Sequence, residues 1–346
     1  MRTTEAKPVL DVRLEGEPEL AEALARALAS AAPVARATHG FHTYPAGLHA
    51  DAARDLLALF PSGKVLDPFC GGGTVLVEAM LAGRAAAGSD LGPIAALVAW
   101  ARTRRTDEPT RTRLRSAARA LTERARSVRP GDRASLPDDP AARTLIEAWY
   151  EPRVAAELAV IREGIAALDL DARARDLLWA AFSSVLIKVS QRRSDTSSGR
   201  DDRARPPGTA ATFFHKRVRE FARQLEELAA LAPSAAPEPE VARADARAPG
   251  PGGYGLILTS PPYPAVYDYL PLQELREAWL GVRGDRAEEI GARRAWRARD
   301  AEAAWRADTE AWMCACARRL DPGGVMAVVI GDGLVGAAPV DALAAT

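Results

Sequence analysis

The segment Leu256-Ile257-Leu258-Thr259-Ser260-Pro261-Pro262-Tyr263 carries the most specific chemistry in the chain. An apolar run ends in a polar residue, two prolines and an aromatic. The prolines remove two backbone donors and fix φ, so the turn is rigid and presents bare carbonyl oxygens. Such acceptors suit an amine conjugated to an aromatic ring, which is a poor nucleophile because its lone pair is delocalised. Acceptors on Ser260 and the carbonyl of Pro261 hold the N–H hydrogens, pyramidalise the nitrogen and aim its lone pair at an electrophilic methyl. Tyr263 offers a flat face on which an extruded base can stack. This is positioning chemistry more than strong-base chemistry, and it makes Ser260, Pro261, Pro262 and Tyr263 the candidate catalytic residues. Tyr267 and Tyr269 follow closely enough to line a target pocket, or simply to pack at the strand end.

Two further sites lie upstream. Asp67-Pro68-Phe69-Cys70-Gly71-Gly72-Gly73-Thr74 reads as a strand closing in a glycine turn before a helix, either a tight turn or a place where bare N–H groups approach a ligand. Its spacing departs from G-x-G-x-x-G because Leu76 stands where the third glycine belongs, which counts against a dinucleotide. Asp90 ends the next strand, where a carboxylate either accepts the ribose hydroxyls of an adenosine or caps the helix entered at Pro93. Together the two sites favour an adenosyl cofactor that carries no pyrophosphate. Cys70 reads as a small apolar filler of the loop, since no His or other base accompanies it in sequence.

The elements that must position these residues show in the hydrophobic periodicity. A strand is predicted at 8–14 and helices at 17–31 and 48–60. A strand leads into Asp67, a helix covers 74–81, a strand covers 85–89 and a helix covers 93–103. This alternation predicts a parallel sheet covered on both faces. From about 110 to 232 helical spacing dominates, at 112–127, 141–167, 171–190 and 214–231, interrupted by Pro/Asp-rich 129–140 and polar 191–210. Strands at 241–244 and 255–259, helices near 271–280 and 298–320, and a last strand at 325–330 return the chain to the sheet. The expected organisation is an N-terminal extension at 1–40, a core made of 41–103 and 240–346, and a helical insertion at 104–239.

The quoted motifs, Asp-Pro-Phe-Cys-Gly-Gly-Gly-Thr and Thr-Ser-Pro-Pro-Tyr, resemble those of the amino-methyltransferase family of DNA, the N4-cytosine and N6-adenine enzymes. The resemblance covers about 41–103 and 240–333. It implies a Rossmann-like class I methyltransferase fold, α/β with a parallel sheet and a helical insertion, and S-adenosyl-L-methionine as cofactor. By the same resemblance, Asp67, Pro68, Phe69, Gly71, Gly73 and Thr74 form the cofactor loop, Asp90 binds the ribose, and Ser260 to Tyr263 form the catalytic turn. Phe41-His42-Thr43-Tyr44-Pro45 is similar to the family's N-terminal cofactor segment, which adds Tyr44. Asp245 stands where the family holds the cofactor's adenine amino group. A Ser before Pro-Pro-Tyr is more similar to the N4-cytosine branch than to the adenine branch, which usually carries Asp or Asn there. Methylation of RNA, of a peptide amide or of a small-molecule amine remains an alternative, as does a non-catalytic module that binds the cofactor.

Whole-chain properties limit the rest. The 346 residues hold 46 Lys plus Arg against 46 Asp plus Glu, so contact with a polyanion must come from a local patch. Lys188 to Thr196, continuing through Arg200, Arg203, Arg205, Lys216, Arg217 and Arg219, is read as that patch, a phosphate-contacting surface or else a solvated loop. It places Arg192 and Arg193 on the substrate, with DNA the favoured partner. Three cysteines and four histidines form no metal spacing, so no metal is expected. No stretch reaches the roughly 18 apolar residues of a membrane span, and the expected setting is cytoplasmic. Methyltransferases of this class finish with a helix and an antiparallel strand pair. The strand at 325–330 is therefore expected to leave an apolar edge, explained by truncation or by a partner or dimer that covers it.

Overall fold

The computed structural model describes residues 14–29, 36–45, 47–60, 63–129, 131–132 and 135–331. The strand expected at 8–14 falls almost wholly outside these residues, as does the chain beyond 331.

Helix α1 (Pro18–Leu28) and helix α2 (Ala50–Leu59) precede a βαβα run. That run is β1 (Val65–Asp67), α3 (Thr74–Leu81), β2 (Ala86–Asp90) and α4 (Pro93–Arg102), within a residue or so of the predicted spans. Five helical segments follow: α5 (Glu108–Arg126), α6 (Pro140–Trp149), α7 (Pro152–Ala167), α8 (Ala172–Val189) and α9 (Thr209–Leu231). The single helix expected over 141–167 is two. Pro152 cannot continue α6, because it lacks an N–H, but it is well placed in the first turn of α7.

The polar stretch after α8 is not a plain loop. Strands β3 (Arg192–Ser194) and β4 (Ser197–Arg200) pair antiparallel around Asp195-Thr196. The chain then returns through β5 (Glu240–Arg243), β6 (Tyr254–Thr259), α10 (Tyr269–Leu272), α11 (Glu274–Leu280), α12 (Ala301–Ala317) and β7 (Leu320–Val328). The last strand therefore begins earlier and stops sooner than the predicted 325–330.

The main sheet runs β5-β2-β1-β6-β7, and every pairing in it is parallel. Strand alternation sorts its side chains to two faces. Val65, Leu256 and Leu258 pack with Leu56, Val75 and Leu76 on one face. Leu66 and Ile257 pack with Trp305, Trp312 and Cys316 on the other, where Tyr254 joins them because the register shifts between Tyr254 and Leu256. This is the Rossmann-like α/β architecture expected from the sequence.

The insertion has a core of its own, but not a private one. Helices α5 to α9 bury Leu114, Leu158, Phe182, Phe214 and Phe221 together with Phe41, Ala101 of α4, and Leu275 and Trp279 of α11. Trp279 meets Tyr150 and Phe182 edge-on, at ring-centroid distances of 5.7 and 6.1 Å. Strand β7 is paired only with β6 among the described residues, and its apolar residues 325–328 are half-buried.

Candidate active site

Because the strands are parallel, their C-terminal ends share one edge of the sheet. Asp67 ends β1, Asp90 ends β2, Asp245 follows β5 by two residues, and Ser260 follows β6. Open α/β sheets bind ligands at this edge. Here it opens into a cleft. Its walls include Tyr44, Asp67 to Gly72, Thr74, Asp90, Asp245, Ser260, Pro262 and Tyr269. Three segments expected to meet, separated by up to about 200 residues in sequence, thus line one space.

The glycine turn is shaped by close approaches. Gly73 has φ +79°, and a Cβ there would lie 2.8 Å from the Cα of Ala99 on α4. Gly71 has φ +48°, and a Cβ there would lie 3.1 Å from Tyr44 Cε1, so the Tyr44 ring lies against the bare loop. Asp90 fastens the turn: its carboxylate accepts from the Gly71 N–H at 2.9 Å and the Gly92 N–H at 2.8 Å. Of the two expectations for Asp90, the structure bears on the helix entry. Asp90 sits in the cleft, and it also organises the entry to α4, although Gly92 is the capping residue. The Asp67 carboxylate is buried, and its Oδ1 accepts from Thr259 Oγ1 at 2.7 Å and the Phe69 N–H at 3.2 Å.

Burial raises Asp67 to about 7 and Asp90 to about 6, with the hydrogen bonds opposing the shift. Among the described residues, neither carboxylate has a cationic partner within 4 Å. The cleft thus holds two buried carboxylates beside the glycine turn and the Tyr44 ring. Cys70 is buried, and its thiol is pushed far up by burial, so it fills space as expected rather than acting as a nucleophile.

The Ser-Pro-Pro-Tyr turn carries one internal contact, Ser260 Oγ to Tyr263 Oη at 3.2 Å. Ser260 and Pro262 face the cleft, Pro261 is buried, and the Tyr263 ring lies beside Gly331. Tyr267 meets Tyr269 edge-on at 5.5 Å, and only Tyr269 of the pair lines the cleft. Gly73 stands behind the loop, where it packs against α4.

Two expectations change. Asp245 reaches the cleft, but its carboxylate is held by Arg247, through the backbone N–H at 2.8 Å and the guanidinium at 2.6 Å. Arg247 also pairs with Glu288 and Asp308. Arg192 is not an open phosphate contact. It is 7% exposed, donates to the Leu272 carbonyl, lies 3.6 Å from Glu274 and stacks near Trp149. Its charge docks the hairpin onto α11, a task shared by Arg276, which is 1% exposed and pairs with Asp195. Arg193 is exposed on the hairpin and does not line the cleft.

Other residues of the site had no sequence signal. Arg102, at the end of α4, is 4% exposed and donates to the carbonyls of Gly72 and Thr38, and it lies 2.8 Å from His39 Nδ1. It thereby ties segment 36–45 to the glycine turn. The Glu289 carboxylate lines the cleft, accepts from the N–H groups of Tyr269 and Leu270, and pairs with Arg294 at 2.6 Å. Leu91, Leu270 and Ile290 add apolar wall. A lone Arg on an apolar helix and a Glu in a loop look like ordinary charged residues until the fold brings them to the cleft.

Among the described residues, no cluster of three or more His, Cys, Asp or Glu is placed to hold a metal ion. No described helix is long and apolar enough to cross a membrane.

Comparison with known proteins agrees with this architecture. Residues 41–128 match the family model described as RMKL-like, methyltransferase domain. Over 172 residues the chain is 27% identical to the Type II methyltransferase M.MvaI of Kocuria varians, an alignment covering 46% of this chain and 36% of that protein. The chain thus spans little more than a third of that relative's length. No solved structure matches the chain.

Proposed function

We propose that this chain, whose residues 41–128 carry a methyltransferase domain, transfers a methyl group from S-adenosyl-L-methionine to an exocyclic amino group of a DNA base. N4 of cytosine is favoured over N6 of adenine. The observation that carries this reading is the meeting, in one cleft, of the glycine turn, Asp90 and the Ser260–Pro262 turn. The similarity to a type II methyltransferase adds to it.

In this reading Asp90 accepts ribose hydroxyls with the lone pairs left over from Gly71 and Gly92. The glycine turn and Tyr44 cradle the rest of the cofactor, and Asp245 is free for an adenine amino group only if Arg247 swings to Glu288 and Asp308. When bound, S-adenosyl-L-methionine supplies an electrophilic methyl group. Ser260 Oγ and the Pro261 carbonyl accept the hydrogens of the target amine, so that its lone pair is released from the ring and points along the line of attack. A hydroxyl contact with Tyr263 orients Ser260 for that task, and Tyr269 closes the pocket wall. The preference for cytosine rests on Ser260, since a neutral hydroxyl replaces the Asp or Asn of the adenine branch.

Turnover with deuterated-methyl S-adenosyl-L-methionine on unmethylated genomic DNA and on total RNA, followed by nucleoside mass spectrometry, tests the proposal. Labelled N4-methylcytosine in DNA is the expected product. Labelled N6-methyladenine would retain the class and discard the inference from Ser260. Label confined to RNA, or no labelled nucleoside despite cofactor binding, would overturn the DNA reading.

A further inference from the structure

A second basic segment lies beside the cleft: Arg293-Arg294-Ala295-Trp296-Arg297-Ala298-Arg299. It begins three residues after Ile290, which is part of the cleft wall. The segment is fastened to the catalytic loop at three points. The Ala265 N–H donates to the Gly291 carbonyl at 3.0 Å, the Arg293 N–H to the Tyr267 carbonyl at 3.1 Å, and the Arg294 N–H to Asp268 at 2.9 Å. Its aromatic residue is turned inward: Trp296 meets Trp305 of the sheet-face core at 6.3 Å. Arg294 is also committed, to Glu289 and Asp268. Arg293, Arg297 and Arg299 are exposed, and none has a carboxylate within ion-pair distance among the described residues.

The basic stretch at 188–219 differs. Arg192, Arg200, Arg203, Arg205 and Arg217 all pair with carboxylates. Lys188, Arg193, Lys216 and Arg219 of that stretch are exposed and have no carboxylate within ion-pair distance among the described residues, but none of them borders the cleft wall. With equal numbers of acidic and basic residues overall, a polyanion must be met by cations that are both unpaired and close to the site.

We propose that Arg293, Arg297 and Arg299 form the phosphate-contacting ridge of this protein, gripping the DNA backbone beside the base presented to Ser260. The proposal rests on the reading of the cleft as a DNA-base methyltransferase site and adds the surface that holds the polymer. Anchoring through Trp296, the Arg293 N–H bond to the Tyr267 carbonyl and the bonds of Arg294 to Asp268 fixes the ridge relative to the catalytic turn. Contacts to phosphate set register while leaving base selection to the pocket.

The test is a salt titration of duplex DNA binding, comparing the wild type with the triple variant Arg293→Ala/Arg297→Ala/Arg299→Ala and with Lys216→Ala/Arg219→Ala on α9. Each lost phosphate contact lowers the magnitude of the slope of log K against log salt by about 0.9. The triple variant is therefore expected to lose about 2.7 in slope, and the α9 variant less than about 1. Calorimetry with S-adenosyl-L-methionine should give the same affinity for the triple variant as for the wild type, which shows that it is folded. Wild-type DNA binding with an unchanged slope in the triple variant would overturn the ridge and leave the proposed function standing. Wild-type protein that methylates nothing and binds no DNA would overturn both. Binding to single-stranded RNA alone would overturn both the DNA ridge and the reading of the substrate as DNA.

Discussion

Asp67 is a buried carboxylate that gains two hydrogen bonds and no counter-charge, so its ionised form is held against a desolvation cost. Burial raises its value from 3.8 to about 7. The folded state therefore takes up this proton before the unfolded state does as pH falls. The resulting stability is fully present below about pH 4 and is lost as pH rises through about 7. Both hydrogen bonds fall on Oδ1, so an amide can retain them. Asp67→Asn is expected to raise the melting temperature at pH 8 and to lose that advantage near pH 4. A constant difference across that range would show that folding leaves the pKa of this carboxyl unshifted. Asp90, raised to about 6, makes a matching prediction for binding. Affinity for the cationic S-adenosyl-L-methionine should fall as pH drops below 6 in the wild type, and titration calorimetry should find no such step in Asp90→Asn. At the catalytic turn, Tyr263→Phe removes the contact with Ser260. A neutral hydrogen bond is worth about 0.5–1.5 kcal/mol, so kcat should fall by about 2- to 10-fold with cofactor affinity unchanged. Equal loss of both would give Tyr263 a role in the cofactor site instead. These residues were legible because prolines and glycines mark the turns in which they sit. Glu289 and Arg102 carry no such mark, and what makes them part of the site is long-range packing.

At the scale of elements, the glycine turn is where backbone conformation and packing are both demanding. Gly73→Ala would place a methyl group 2.8 Å from the Ala99 backbone at a positive φ. It should destabilise the protein by at least about 1–3 kcal/mol. Gly250→Ala, where nothing lies within 4 Å, should stay within about 0.5 kcal/mol of the wild type. Urea denaturation of the pair measures both, and similar values would mean that α3 and α4 can separate at little cost. The same physics explains what the sequence revealed of these elements. Apolar helices and strands bounded by glycine and proline, such as α3, β2 and α4, were predicted nearly to the residue. The β3–β4 hairpin was not foreseen, because Arg192–Ser194 and Ser197–Arg200 lack apolar alternation. Tertiary ion pairs, from Arg192 to Glu274 and from Asp195 to Arg276, hold it in place. The break between α6 and α7 turned on Pro152, which a periodicity argument alone passes over.

At the scale of the molecule, the boundary drawn at 104–239 describes the chain better than it describes the core. Helix α11 follows the catalytic turn in sequence, yet its Trp279, fully buried, packs in the middle of the insertion against Tyr150 and Phe182. Phe41, three residues before Tyr44, stacks on Phe221 of α9 at 3.5 Å. The segment before α2 and helix α11 thus supply residues to the helical core. A helical body bound in this way should not unfold ahead of the sheet. Thermal unfolding followed by far-UV circular dichroism and by tryptophan fluorescence should give coincident transitions. Trp279→Ala, which removes a large buried side chain at a cost of about 3–5 kcal/mol, should move both transitions down together. If the helical signal instead melted first and left the sheet intact, the insertion would be an independent domain. Cofactor binding would then be expected to survive its loss, whereas a shared core requires that binding at Tyr44 and packing at Phe41 fail together.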